Sequence, residues 1–370
     1  MTLNTVQISI RRAEVNLVRY HKPLQITDVF INYNEKLFGC KQNPTHKKIS
    51  DILWKEKCNN NPRLFDKEKF RFAGSKGVDS KIEIDLGLTS YKELCVTNFQ
   101  PNVTKLMQEG IQDFNDNHAY LSQALGVGIL LLSSDDQLLL LRRSMWTGEA
   151  AGKWDRPGGH PEPCNVPELA SSLEHSSPSQ TDAGVNMEEL SPEKLRVNDS
   201  ILKEVWGSII GEAVDEAGIP ATELTPPQVS LLGLCLQADL GDRPSLEFYV
   251  RSSNVLADLG DRPSLEFYVR LGLTSAALQE AYSRGQQAEA DESTSLLMLP
   301  LSDVRHVIAI VRRRYRVSAS GLAGDCAAAA AAAADVMKDA EDLRLQELVK
   351  DFSPALTGAL LMAEDVLLQE

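Results

Sequence analysis

A chain of 370 residues, 43% hydrophobic and 24% charged, has an ordinary soluble globular composition with room for one large domain or two. Its net charge of −14 argues against a broad basic face for nucleic acid, so an anionic substrate must be met by a local basic pocket or a metal. The six cysteines (Cys40, Cys58, Cys95, Cys164, Cys235 and Cys326) contain no C-x-x-C pair, which disfavours structural zinc and favours free thiols in a reducing compartment. Met1–Ile10 lacks an apolar core of signal-peptide length and no stretch is long enough to span a bilayer, so the expected location is cytoplasmic or nuclear.

Residues 1–45 alternate weakly through Val6, Ile8, Ile10, Val15, Leu17 and Val18, enough for one or two strands. Ile49, Ile52, Leu53 and Trp54 fall at helical spacing over Lys47–Cys58, and Ile82, Ile84 and Leu86 alternate as a strand. Thr89-Ser90-Tyr91 opens a short helix to Cys95. Two readings stand here: Thr89 or Ser90 caps the helix with Tyr91 half-buried, or the helix start, Tyr91 and Asn98 line a substrate pocket. Residues 103–124 read as a helix around Asn115–Asn117. Gly126–Leu132 and Leu138–Leu141, joined by Ser133–Gln137, read as a hairpin whose apolar strands are covered on both faces. Arg142 and Arg143 close it, one as an edge residue and the other, assigned to Arg142, as a phosphate contact.

The loop Arg156-Pro157-Gly158-Gly159-His160-Pro161-Glu162-Pro163 comes next. Its glycines let the backbone approach a metal or phosphate, with a carbonyl of Gly159 as a candidate ligand; His160 between prolines reads as a structural hydrogen-bonder before a base. Residues 164–197, rich in Ser, Pro, Glu and Asn, read as a flexible insertion. A helix follows, with Asn198, Asp199 and Ser200 as caps and Gly218 and Pro220 as its stop. Ile201, Val205, Ile209, Ala213 and Ala217 form its apolar stripe. Glu212, Asp215 and Glu216 share a face at i, i+3 and i+4. Three acids so close repel one another, and a hard divalent cation with oxygen ligands, Mg2+ or Mn2+ in its place, relieves that.

Val229–Leu236 is a strand. Ala238–Arg251 and Ala257–Arg270 are then the same fourteen residues, and the second copy is expected to supply the sheet strand Leu265–Leu271. Glu247 and Glu266 are equivalent positions, read either as solvated strand carboxylates or as approaching a metal. Ser275–Gly285 reads as a helix, Glu292–Val304 as a strand, and Arg312-Arg313-Arg314 as the start of an excursion containing the alanine run Ala327–Ala334, itself helical by propensity. Glu341–Lys350 and Phe352–Val366 read as the closing helices.

The glycine loop and the acidic helix resemble the Nudix box, G-x5-E-x7-R-E-U-x-E-E-x-G-U with U aliphatic. Gly159 stands as its first glycine and Glu212-Ala213-Val214-Asp215-Glu216-Ala217-Gly218-Ile219 as its end. Gly211 replaces the pattern's arginine, and Glu212 follows Gly159 by 53 positions where the pattern has 15. Those departures are similar to the animal UDP-glucose/UDP-galactose diphosphatases, an atypical Nudix group. So are Leu64-Phe65-Asp66, Lys69-Phe70-Arg71, Leu86–Tyr91, Thr97-Asn98, Ala119-Tyr120-Leu121, Leu125–Gly128, Glu266–Val269 and Glu292-Ser293-Thr294, in order.

The resemblance implies an α/β Nudix sandwich, a mixed sheet between helices, with an N-terminal αβ subdomain over 1–120. The Nudix domain then covers 121–310, with the insertion 164–197 and the duplication 238–270, followed by an Ala-rich insertion 311–347 and a C-terminal helix in 348–370. The carboxylate helix and glycine loop give the reaction class; the substrate comes from the resemblance alone. It implies Mg2+-dependent hydrolysis of a UDP-sugar pyrophosphate to UMP and sugar 1-phosphate, without nucleic-acid or membrane partners. Glu212 and Glu216 would be catalytic, and Glu212, Asp215, Glu216 and Gly159 would hold metal. Tyr91, Ser90, Asn98, Arg142, Gly158 and Gly159 would meet the substrate. The base is open between Glu212, a water-bridged acid and Glu162, and the family's lysine in the last helix is Thr357 here. The rivals are a non-catalytic UDP-sugar-binding module and a Nudix hydrolase of another nucleoside diphosphate derivative; three retained, mutually repelling acids favour an enzyme.

Overall fold

The computed structural model describes residues 5–10, 15–62, 64–78, 81–147, 150–173, 191–237, 262–285, 287–315, 317–320 and 340–369. Its strands are β1 (Thr5–Ile10), β2 (Val15–Leu24), β3 (Val29–Tyr33), β4 (Glu68–Val78), β5 (Lys81–Ser90), β6 (Gly126–Leu132), β7 (Gln137–Arg143), β8 (Trp154–Asp155), β9 (Gly158–Gly159), β10 (Ser230–Gln237), β11 (Arg262–Arg270), β12 (Ser293–Pro300) and β13 (Val317–Ser320). Its helices are α1 (Glu35–Phe38), α2 (Pro44–Asn60), α3 (Tyr91–Val96), α4 (Val103–Phe114), α5 (Pro167–Leu173), α6 (Pro192–Ala217), α7 (Ser275–Ser283), α8 (Leu301–Tyr315), α9 (Ala340–Lys350) and α10 (Pro354–Gln369). The chain divides into two compact units, one built on Ile26–Leu125 and His160–Ser208, the other on Asn4–Gln25, Gly126–Gly159 and Ile209–Glu370. The division therefore falls at Leu125 rather than at 120, and the first two strands go with the second unit.

In the first unit β3 runs parallel and β4 antiparallel to the central β5. The alternation read in the sequence is real: Ile82, Ile84 and Leu86 are all buried. Asn43 caps α2, its side-chain oxygen accepting from the N–H groups of Thr45 and His46. Helix α4 ends at Phe114, short of the expected 124. Asn115 adopts φ 54° and its N–H turns back to the carbonyls of Gly110 and Ile111, an αL cap. That turn lets Tyr120 and Leu121 pack on Val103, Leu106 and Met107. Arg71, buried, donates to the carbonyls of Phe38 (2.8 Å), His118 (2.7 Å) and Leu121 (3.2 Å).

The stretch 164–197 is ordered at both ends, contrary to the reading from composition. Val166 and Leu169 are buried and start α5. Helix α6 begins at Pro192, so Asn198 is not its cap; the Asn198 side chain accepts the Tyr33 N–H at 3.1 Å instead. Residues 174–190 lie outside the described residues.

The second unit is a mixed sheet in the order β12-β7-β6-β11-β10-β2-β1-β13, with β8 on β7 and β9 on β6. Strand β6 is parallel to β11 and antiparallel to β7. The apolar runs of both hairpin strands are buried, and Leu130, Leu132, Leu138 and Leu140 share a core with Val304, Val307 and Ile308 of α8 and Leu356, Leu360 and Ala363 of α10. The strand read over Glu292–Val304 stops at Pro300. Leu301, Val304, Val307, Ile308 and Val311 then follow a helical period and are buried, so Arg312 and Arg313 sit within α8 rather than beginning an excursion. The second copy of the repeat supplies β11, as expected. The first copy and the alanine run lie outside the described residues. Among the described residues five cysteines are free, and no helix is long and apolar enough to cross a membrane.

Candidate active site

The apolar stripe Ile201, Val205, Ile209, Ala213 and Ala217 is fully buried. Its burial fixes the rotation of α6, so that Glu212 and Glu216, one turn apart, leave the helix together. Gly218, at φ 71°, ends the helix. The turn after α7 docks on that end: the Glu289 N–H donates to the Asp215 carbonyl at 3.2 Å. This brings in Glu289, so that carboxylate oxygens of Glu212, Glu216 and Glu289 lie within 4.8 Å of one another. The third acid of this group is therefore Glu289 and not Asp215, which contributes its backbone. The sequence hint was slight: Glu289 begins an acidic run, Glu289-Ala290-Asp291-Glu292, just before β12.

The glycine segment forms the other wall. Gly158 pairs with Gly128 and Gly159 with Val127, which makes β9 a short addition to β6. The Gly158 N–H donates to Glu216 Oε2 at 3.0 Å. A Cβ on Gly159 would stand 1.9 Å from Glu212 Oε1, and one on Gly158 would stand 2.4 Å from the Val127 carbonyl. Backbone closes the space at Gly158, so only glycine fits there, and at Gly159 any side chain would displace the Glu212 carboxylate.

Glu216 is 4% exposed. Burial first, and the Glu212 charge second, push its carboxyl well above the usual range; the Arg143 charge and the Gly158 N–H pull the other way. Three hard oxygen donors, one strongly disfavouring ionisation by itself, fit a hard divalent cation of the Mg2+ or Mn2+ kind.

Other expected residues are placed as follows. Arg142 pairs with Asp351 at 3.0 Å and lies over Trp154, whereas it is Arg143 whose charge bears on Glu216. Glu266 is neither solvated nor beside the acids: fully buried, it is held by Arg156. In the first unit, the Ser90 hydroxyl caps α3 by accepting the Glu93 N–H at 3.3 Å, and the half-buried Tyr91 ring meets Trp54 edge-on. Asn98 is buried, its amide donating to Gln123 Oε1 at 2.9 Å. Glu162 pairs with Lys67 and Lys69; burial would raise its carboxyl, but the two lysines hold it below the usual range. Thr357 is buried, its hydroxyl donating to the Ser353 carbonyl at 3.0 Å.

No protein-family model matches the chain. It is 31% identical over 268 residues to uridine diphosphate glucose pyrophosphatase NUDT22 of Mus musculus, an alignment spanning 71% of this chain and 74% of that protein. The protein of the same name from Homo sapiens is 31% identical over 263 residues, spanning 69% and 73%. Nudix hydrolase 9 of Arabidopsis thaliana is 29% identical over 240 residues, spanning 63% and 71%. The chain belongs to the Nudix hydrolase family.

Proposed function

We propose that the protein hydrolyses the pyrophosphate of UDP-glucose or UDP-galactose to UMP and sugar 1-phosphate, and that Glu212, Glu216 and Glu289 hold Mg2+, or Mn2+ in its place. The convergence of these three carboxylates carries the reading, and the names of the relatives support the substrate. A divalent cation supplies charge neutralisation and orientation of the attacking water. In the net reaction the water oxygen bonds to one phosphorus, the bridging oxygen departs with the other phosphate, and the two protons of the water pass to the product phosphates or to solvent. The Gly158 N–H steadies Glu216, and Arg143 adds positive charge where phosphate oxygens have to be accommodated. Glu162 is occupied by two lysines, which leaves Glu212 or a water-bridged acid as base.

The test is a panel of UDP-glucose, UDP-galactose, ADP-ribose and coenzyme A, with and without Mg2+, run on the wild type and on Glu216→Gln. The wild type should release UMP from the UDP-sugars only with the cation. The variant keeps side-chain volume and loses like-charge repulsion, so it should melt cooperatively yet not turn over. Wild-type turnover by Glu216→Gln would sink the site, and ADP-ribose as the only substrate would sink the UDP-sugar assignment.

A further inference from the structure

Gly159 and Glu212 are 53 positions apart, so chain continuity alone does not fix their separation. The arginine of the family pattern is also missing: Gly211 stands there, and a Cβ on it would meet nothing within 4 Å. Something else has to hold the glycines against the acids.

The sheet contains a candidate three residues from Gly159. Arg156 and Glu266 are buried and bonded by two prongs, Nε to Oε2 at 3.0 Å and Nη2 to Oε1 at 2.7 Å. Ser264 accepts from Nη2 at 3.3 Å and donates to Glu266 at 2.8 Å, while Asp155 accepts from Nη1 at 3.2 Å and from the Arg156 N–H at 2.9 Å. The guanidinium occupies space opened by a missing side chain: a Cβ on Gly128 would stand 2.2 Å from Nη2. The register explains why. Gly158 pairs with Gly128 on one side and Glu266 pairs with Gly128 on the other, so the arginine reaches across a bare glycine to the next strand. The Pro157 carbonyl then accepts the Ile129 N–H at 3.0 Å, and the Gly158 N–H donates to Glu216.

We propose that the Arg156–Glu266 pair is the positioning element of this site, fixing the Gly158–Gly159 segment against Glu216 and Glu212 in place of the absent box arginine. Stability alone does not account for it, because well-packed apolar residues often replace a buried ion pair without loss. What a planar two-pronged pair adds is direction. The inference rests on the metal-site reading above.

The double variant Arg156→Met/Glu266→Leu removes both charges and keeps the bulk. Three quantities are measured on it: amide exchange at Gly158 in the metal-free protein, Mn2+ affinity by calorimetry, and the split between kcat and KM. Exchange at Gly158 should quicken by about tenfold or more, since local opening no longer strains the pair. Mn2+ affinity and kcat should each fall by about 10–100-fold, the range for groups that orient ligands, with KM little changed. Arg156→Lys, with charge but no fork, should fall between. Should the double variant fail to fold, Gly128→Ala displaces the guanidinium with both charges kept, and the same exchange measurement applies. Wild-type exchange at Gly158 together with wild-type Mn2+ affinity, in either folded variant, would overturn the proposal. If the wild type itself takes up no Mn2+, the metal-site reading fails, while exchange at Gly158 still decides whether the pair positions the loop.

Discussion

Among the described residues each unit buries one arginine, and the two are used in opposite ways. Arg71 in the first unit ends on three backbone carbonyls, those of Phe38, His118 and Leu121. Arg156 in the second ends on side chains, the carboxylates of Glu266 and Asp155 and the hydroxyl of Ser264. Irregular segments need donors for carbonyls that no strand satisfies, and Arg71 supplies them at three points. Arg156 leaves the two-residue link between β8 and β9, and its donors end on side chains of β11 and on Asp155, so they can set the direction of that link. The difference teaches that a buried charge is a strut where it ends on backbone carbonyls and a pointer where it ends on side chains.

The largest expected effect is on Arg71→Met, which deletes three charge-assisted bonds and should cost about 3–5 kcal/mol. Urea unfolding would measure it. Mn2+ affinity and turnover per folded molecule should stay as in the wild type; a loss of Mn2+ affinity matching that of the Arg156 variants would erase the distinction. Next is His118, whose carbonyl Arg71 holds. Burial brings its imidazole down from 6.5 to about 4, against an opposing pull from Asp116 and with a smaller push from the Arg71 charge. The folded-state value lies below the unfolded one, so this contribution to stability is present above pH 6.5 and is lost as pH falls towards 4. His118→Gln should therefore lose about 1–3 kcal/mol less than the wild type over that window. Parallel stability curves for the two proteins would remove acid sensitivity from the first unit. The smallest effect belongs to Ser90→Ala, which loses a helix cap worth about 1 kcal/mol. An unchanged KM for UDP-glucose would make Ser90 a cap alone, whereas a raised KM would bring substrate to the first unit.

The parts of the site that were legible in the sequence are those fixed by local spacing. Glu212 and Glu216 share a helix face because of the apolar stripe behind them, and the glycines announce a close approach. What escaped depends on register. Arg142 and Arg143 alternate across a strand, and only pairing with β12 and β8 decides which of them faces Glu216. Glu289 comes from a turn far along the chain, its N–H bonded to the Asp215 carbonyl. Glu266 reads from the sequence as a solvated or metal-facing acid because its partner, Arg156, reaches it only across Gly128 of the strand between. The stretch from 164 was read as flexible from its average composition, which hid Val166 and Leu169, two buried anchors among polar neighbours.

Strand pairing, not chain continuity, joins the glycine segment to the rest of the site. Gly158 and Gly159 pair with β6, β6 pairs with β11, and β2 pairs with β10. A polypeptide severed anywhere between positions 174 and 190 would thus have its two pieces stitched at the sheet. The glycines would come from one piece and the acids from the other. Such a molecule would be a split enzyme, its activity reporting the encounter of its halves.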